Sequence, residues 1–143
     1  MSDQLLNYGI ASYVSENILI VPFQTEFYAD GIEAFRQEIL KKIHETNNLK
    51  GMIIDVSQVN LLDVSNMKEL ESILSMSSVL GVTGYLVGLK PAVAVALVEL
   101  GYEGNKLNIA LNVEQAAKSI QEGEALKMRH DDELESDHES EDR

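Results

Sequence analysis

At Gly51-Met-Ile-Ile-Asp55 a short apolar run with adjacent β-branched residues ends on a carboxylate. Such a run reads as a strand buried on both faces. Val59, Leu61 and Leu62 follow as a short apolar loop, and Asp63-Val64-Ser65 comes next. From Asn66 the pattern is helical, with Met67, Leu70, Ile73 and Leu74 spaced by three and four. A buried strand that hands over to an amphipathic helix across an apolar loop belongs to an α/β fold. The first N–H groups of a helix lack partners within it, so one of Asp63 and Ser65 is the expected N-cap. The same position attracts phosphate. The turn therefore reads either as an ordinary cap or as a phosphorylation switch with Ser65 as its acceptor.

The flanking chain repeats the alternation. Ile10-Ala-Ser-Tyr-Val14 and Asn17-Ile-Leu-Ile-Val21 read as an opening hairpin about Ser15-Glu16, with Pro22 suited to a strand end. Asp30-Gly31-Ile32-Glu33 has capping-box spacing, and Ile32, Phe35, Ile39, Leu40 and Ile43 mark one face of a four-turn helix stopped at Asn47-Asn48. Gly81 closes the helix of residues 66–80. A second buried strand spans Val82–Val87, and Pro91 opens a helix to Leu100. Leu107–Leu111 reads as a last strand. Asn112 and Gln115 cap a helix from Val113 to about Gln121. The order β-β-α-β-α-β-α-β-α predicts a mixed, mostly parallel sheet.

Charge divides the chain. Residues 122–143 hold ten acidic and three basic side chains, within a total net charge of −13. Residues 1–121 are expected to form one domain. Residues 122–143 read as an acidic tail, disordered from Asp131 because Leu134 is its one apolar residue. So acidic a chain repels phosphate backbones, which argues against nucleic acid as a partner. There is no cysteine, hence no disulfide or thiol chemistry. The absence of a long apolar run and of a basic leader predicts a soluble, cytoplasmic protein with no membrane partner.

No arrangement of residues resembles a catalytic set. Asp55 ends a buried strand, where α/β folds place ligands, but a loop-capping role explains it equally. A receiver-type phospho-aspartate would need an acidic pair after the first strand, and the candidate loop Val21-Pro22-Phe23-Gln24 holds none, with Glu26 and Asp30 further along and unpaired. Gly81, Gly84 and Gly88 fit neither a dinucleotide nor a P-loop fingerprint. His44 suits a helix end, and His130 and His138 suit a solvated acidic tail. Neither an enzyme nor a bound cofactor or metal is expected. The helix of residues 91–100 has no polar face, so Val93, Val95 and Leu97 are candidate interface residues.

Ile54-Asp-Val-Ser-Gln-Val-Asn-Leu-Leu-Asp63 resembles the strand–loop–helix hallmark of STAS domains, the fold of bacterial anti-sigma factor antagonists. Leu86-Val-Gly-Leu-Lys-Pro-Ala-Val-Ala-Val-Ala-Leu-Val-Glu-Leu-Gly101 and Lys42-Ile-His-Glu-Thr46 resemble the RsbS-type scaffold of the stressosome. The resemblance runs from about residue 10 to 121. It implies a mixed sheet with helices mainly on one face, co-assembly with RsbR-like STAS proteins into a large shell, and capture of an RsbT-like serine kinase. It also implies release of that kinase by phosphorylation of the serine directly after the loop aspartate. Here Val64 stands in that place beside Asp55 and Asp63 in the switch loop, and Ser65 follows. Either the acceptor has moved to Ser65 or this subunit is a scaffold without the switch. The alternative function is a small-ligand or nucleotide sensor that uses the crevice near Asp55 and Asp63.

Overall fold

The computed structural model describes residues 12–23, 32–104 and 107–141. Ile10, Ala11, Asp30 and Gly31 lie outside them, and with them the start of the hairpin and half of the first capping box. Five strands run in the order β1 (Tyr13–Ser15), β2 (Ile18–Pro22), β3 (Gly51–Asp55), β4 (Thr83–Val87) and β5 (Ile109–Ala110) across one sheet. β1 is antiparallel to β2, and the other pairs are parallel. The hairpin turns on Glu16 and Asn17, both left-handed at φ 52° and 66°. That is one residue later than expected, because a two-residue hairpin turn of this hand needs positive φ twice and Asn tolerates it.

The helices are α1 (Ile32–Glu45), α2 (Val64–Val79), α3 (Pro91–Glu99) and α4 (Val113–Glu141). Leu19, Val21, Met52, Ile54 and Leu86 meet Phe35 and Ile39 of α1, Met67, Leu70, Ile73 and Leu74 of α2, and Val93 and Leu97 of α3. Phe23 and Phe35 pack edge to face with ring centroids 5.1 Å apart. The opposite face is smaller. There Ile18, Ile20, Ile53 and Val87 meet Ala116 and Ile120 of α4. Three helices on one face and one on the other bury β3 from both sides. Gly51 opens β3 because α4 lies so close that a Cβ there would stand 2.7 Å from Ile120 Cδ1. Helix α2 ends as expected: Gly81 has φ 83°, and Val82 N–H donates to the Ser77 carbonyl at 2.8 Å.

Two expectations are corrected. Helix α4 does not stop near Gln121 but continues to Glu141, about 44 Å at 1.5 Å per residue. The boundary drawn at residue 121 therefore falls inside a helix, and the stretch expected to be disordered from Asp131 is helical through Glu141. The tail is too polar to nucleate a helix, but it extends one already anchored by Ala116 and Ile120, so the nucleation cost has been met. The second correction is on α3. Val93 and Leu97 are core residues, 5% and 1% exposed, because helical spacing turns them to the sheet. Of the three interface candidates only Val95 faces outward, 58% exposed, with Val98 beside it at 69%. Among the described residues nothing covers the outer face of this nine-residue helix.

Candidate switch loop

The loop from β3 to α2 is tied down where it leaves the strand. Asp55 carbonyl accepts the Phe23 N–H at 2.9 Å, and Val56 N–H donates to the Val87 carbonyl at 2.9 Å. Asp55 Oδ1 accepts the Ser57 N–H, also at 2.9 Å. The carboxylate thus stabilises its own turn, the bland alternative of the two that the sequence left open. Gly88, at φ 79°, lies against this turn, and a Cβ there would meet Asp55 Oδ1 at 2.7 Å and Ser57 Cβ at 2.8 Å. Only glycine suits both that backbone and that space. Val56, Val59 and Leu62 anchor the loop in the core, while Leu61, on the same apolar run, is exposed. Lys90 Nζ donates to Asn60 Oδ1 and links the loop to the start of α3.

Asp63 is the N-cap of α2. Its Oδ1 accepts the Asn66 N–H at 2.7 Å, and Asn66 Oδ1 accepts the Asp63 N–H at 3.2 Å. This reciprocal box leaves the Ser65 hydroxyl without a capping duty. Val64 is the first residue of the helix and packs half-buried against the core. Ser65 stands about 100° further round and is exposed. The hydroxyl on this first turn is clear of the core and of the cap and faces solvent. A phosphate there would meet the positive end of the helix dipole. The structure thus brings Asp63, Val64 and Ser65 onto one turn, with Asp55 at the other end of the loop. Val95 lies on a different element, and Val93 and Leu97 are inside.

Sequence reasoning missed three polar links, each between residues about thirty positions apart. They are Lys90–Asn60, Arg36 Nη2 with Glu69 Oε2 at 2.6 Å, and Tyr102 Oη donating to Glu71 Oε2 at 3.0 Å. Burial, then the Glu71 carboxylate beside it, pushes the Tyr102 hydroxyl up from its usual 10.0 to about 12. Nothing local in the sequence signals such pairs, since neither partner lies within helical reach of the other. A cleft of about 400 Å³ is lined by Asn17, Asn48, Leu49, Lys50, Gly81 and Glu124. It opens at the end of the sheet where β3 begins, opposite Asp55. Among the described residues no cluster of histidines and carboxylates could hold a metal ion, and no helix is long and apolar enough to cross a membrane.

The chain belongs to the STAS domain family, whose model matches residues 10–116. Within that class its fold is similar to the RsbS of Moorella thermoacetica, in a serine-to-glutamate variant, with TM-score 0.67 and 26% identity over 79% of this chain and 95% of that one. It is equally similar to a chain from the molecular architecture of the stressosome, described as a signal integration and transduction hub, at TM-score 0.67 and 25% identity over 78% and 96% of the two chains. An anti-sigma factor antagonist from Mycobacterium paratuberculosis shares the fold at TM-score 0.58 and 15% identity, over 78% of this chain and 92% of that one. No curated protein sequence matches the chain.

Proposed function

We propose that this protein is a non-catalytic, cytoplasmic STAS scaffold of a stressosome-type partner-switching pathway. It co-assembles with RsbR-like STAS proteins and holds an RsbT-like serine kinase, which phosphorylation of Ser65 releases. The observation that carries this reading is the geometry of the first turn of α2. Asp63 takes the cap and Val64 takes the core contact, so Ser65 alone on that turn offers a hydroxyl to solvent. The likeness to RsbS and to a stressosome chain supports the scaffold role. The alternative, a ligand sensor at Asp55 and Asp63, has less support. Both carboxylates are engaged by backbone N–H groups, and the described cleft lies at the other end of the sheet.

The test is incubation with a cognate RsbT-like kinase and ATP, followed by peptide mapping. Ser65 should gain one phosphate, and Ser65→Ala none. Ser65→Ala should retain the kinase in co-sedimentation when ATP is present, where the parent chain releases it. Normal capture with an unmodified Ser65 would remove the switch from this subunit and leave the scaffold.

A further inference from the structure

Arg36 on α1 lies between two carboxylates. Its Nη1 is 2.7 Å from Glu33 Oε2, within the same helix, and its Nη2 is 2.6 Å from Glu69 Oε2 on α2. Its Nε is buried and has no hydrogen-bond partner among the described residues. The guanidinium is therefore bound through two of its nitrogens, with a third donor unused. Glu69 stands four residues after Ser65, so the two share a face of α2 with Cβ atoms roughly 6 Å apart. The cross-helix ion pair thus begins one turn from the candidate acceptor.

A phosphate on Ser65 would add about −1.5 to −2 charges beside the Glu69 carboxylate. Two anions would then face one guanidinium. The phosphate carries the larger charge and three acceptor oxygens, and a planar guanidinium fork binds it through two parallel bonds. Turning towards it would give Nε the acceptor it lacks in the unmodified chain.

We infer that Arg36 is the positioning residue that reads a phosphate on Ser65, exchanging its Glu69 partner for the phosphate and so loosening the link between α1 and α2. This rests on Ser65 being the acceptor. Lys68, three residues after Ser65 and exposed, is the competing cation. It is a flexible point charge on the same helix, and its recruitment would leave the Arg36–Glu69 pair untouched.

The experiment uses the full chain with phosphoserine installed at position 65 during synthesis, so that no kinase is needed. Titration by phosphorus NMR reads the second pKa of the phosphate. Arg36→Gln should raise it by about half a unit, the effect of one unit charge some 5 Å away through water. Arg36→Lys, which keeps the positive charge, should raise it by less. Glu69→Gln should lower the pKa, and that lowering should shrink in the Arg36→Gln background, which a merely structural Arg36 would not produce. No shift in either single variant, or equal Glu69→Gln shifts with and without Arg36, overturns the inference, as does a larger shift from Lys68→Gln than from Arg36→Gln. Whether a kinase modifies Ser65 is read separately by peptide mapping of the unmodified chain, so the two failures are distinguishable.

Discussion

Asp63 and Ser65 stand two residues apart at the start of α2 with different roles. The Asp63 carboxylate holds the Asn66 N–H at 2.7 Å, whereas the Ser65 side chain is exposed. Asp63→Ala should therefore cost about 1 kcal/mol in denaturant unfolding, the usual loss for an N-cap. Ser65→Ala should stay within about 0.5 kcal/mol of the parent. A larger loss at Ser65 would give the hydroxyl a structural duty. Tyr102 yields a pH prediction. Its hydroxyl is raised to about 12 from 10.0, so the folded state favours the neutral phenol. The stabilisation is fully present below pH 10 and is lost as pH climbs towards 12. Tyr102→Phe should flatten this alkaline loss in thermal melts taken from pH 9 to 12. A parent and variant that fall in parallel would show that neither its burial nor the Glu71 contact perturbs the phenol.

Helix α3 separates two kinds of apolar residue that the sequence cannot tell apart. Val93 and Leu97 face the sheet, and Val95 and Val98 face outward. A carboxylate at Val93 would be buried without a partner, so Val93→Glu should unfold the domain. Val95→Glu should leave the melting temperature nearly unchanged and disrupt association, if the outer face of α3 is an interface as its exposed valines suggest. Circular dichroism and light scattering on both variants separate the outcomes. Helix α4 has two parts with different support. Val113, Ala116, Ala117 and Ile120 pack on the sheet and Glu124 lines the cleft, whereas residues 125–130 are all exposed. Beyond them the composition is acidic near a helix C-terminus, the end that disfavours negative charge. A chain ending at Glu124 should melt at the parent temperature. A fall of several degrees would show that the distal helix makes contacts that contribute to stability.

At the scale of the whole molecule, among the described residues the sheet ends in two short edges, three residues in β1 and two in β5, and exposed apolar side chains stand at Val95 and Val98 of α3 and at Ile109 and Leu111. Edges so short offer little to strand pairing. Association should therefore proceed through helix and loop surfaces, and salt should weaken it little, because apolar contacts are not screened. Light scattering of the chain mixed with an RsbR-like STAS partner should give a mass far above that of either alone, with little change between low and high salt. Two monomers at every concentration tested would count against the scaffold.

The alternation of elements, the buried β3 and the handover from that strand to a helix were legible in the sequence because each depends on neighbours within a few residues: apolar periodicity, cap chemistry and turn glycines. The family was legible for the same reason, since its hallmark is one strand, one loop and one helix. Other features depended on which faces meet. Whether Asp63 or Ser65 capped α2 depended on the backbone angle of a single turn. Whether Val93, Val95 or Leu97 lay outside depended on how α3 sits on the sheet, since a helix apolar all round has no pattern to orient it. The length of α4 depended on an anchor at Ala116 and Ile120, because a polar helix that cannot start alone can be continued. Arg36 met Glu69 only once α1 and α2 lay side by side, an arrangement that a chain read one window at a time does not encode.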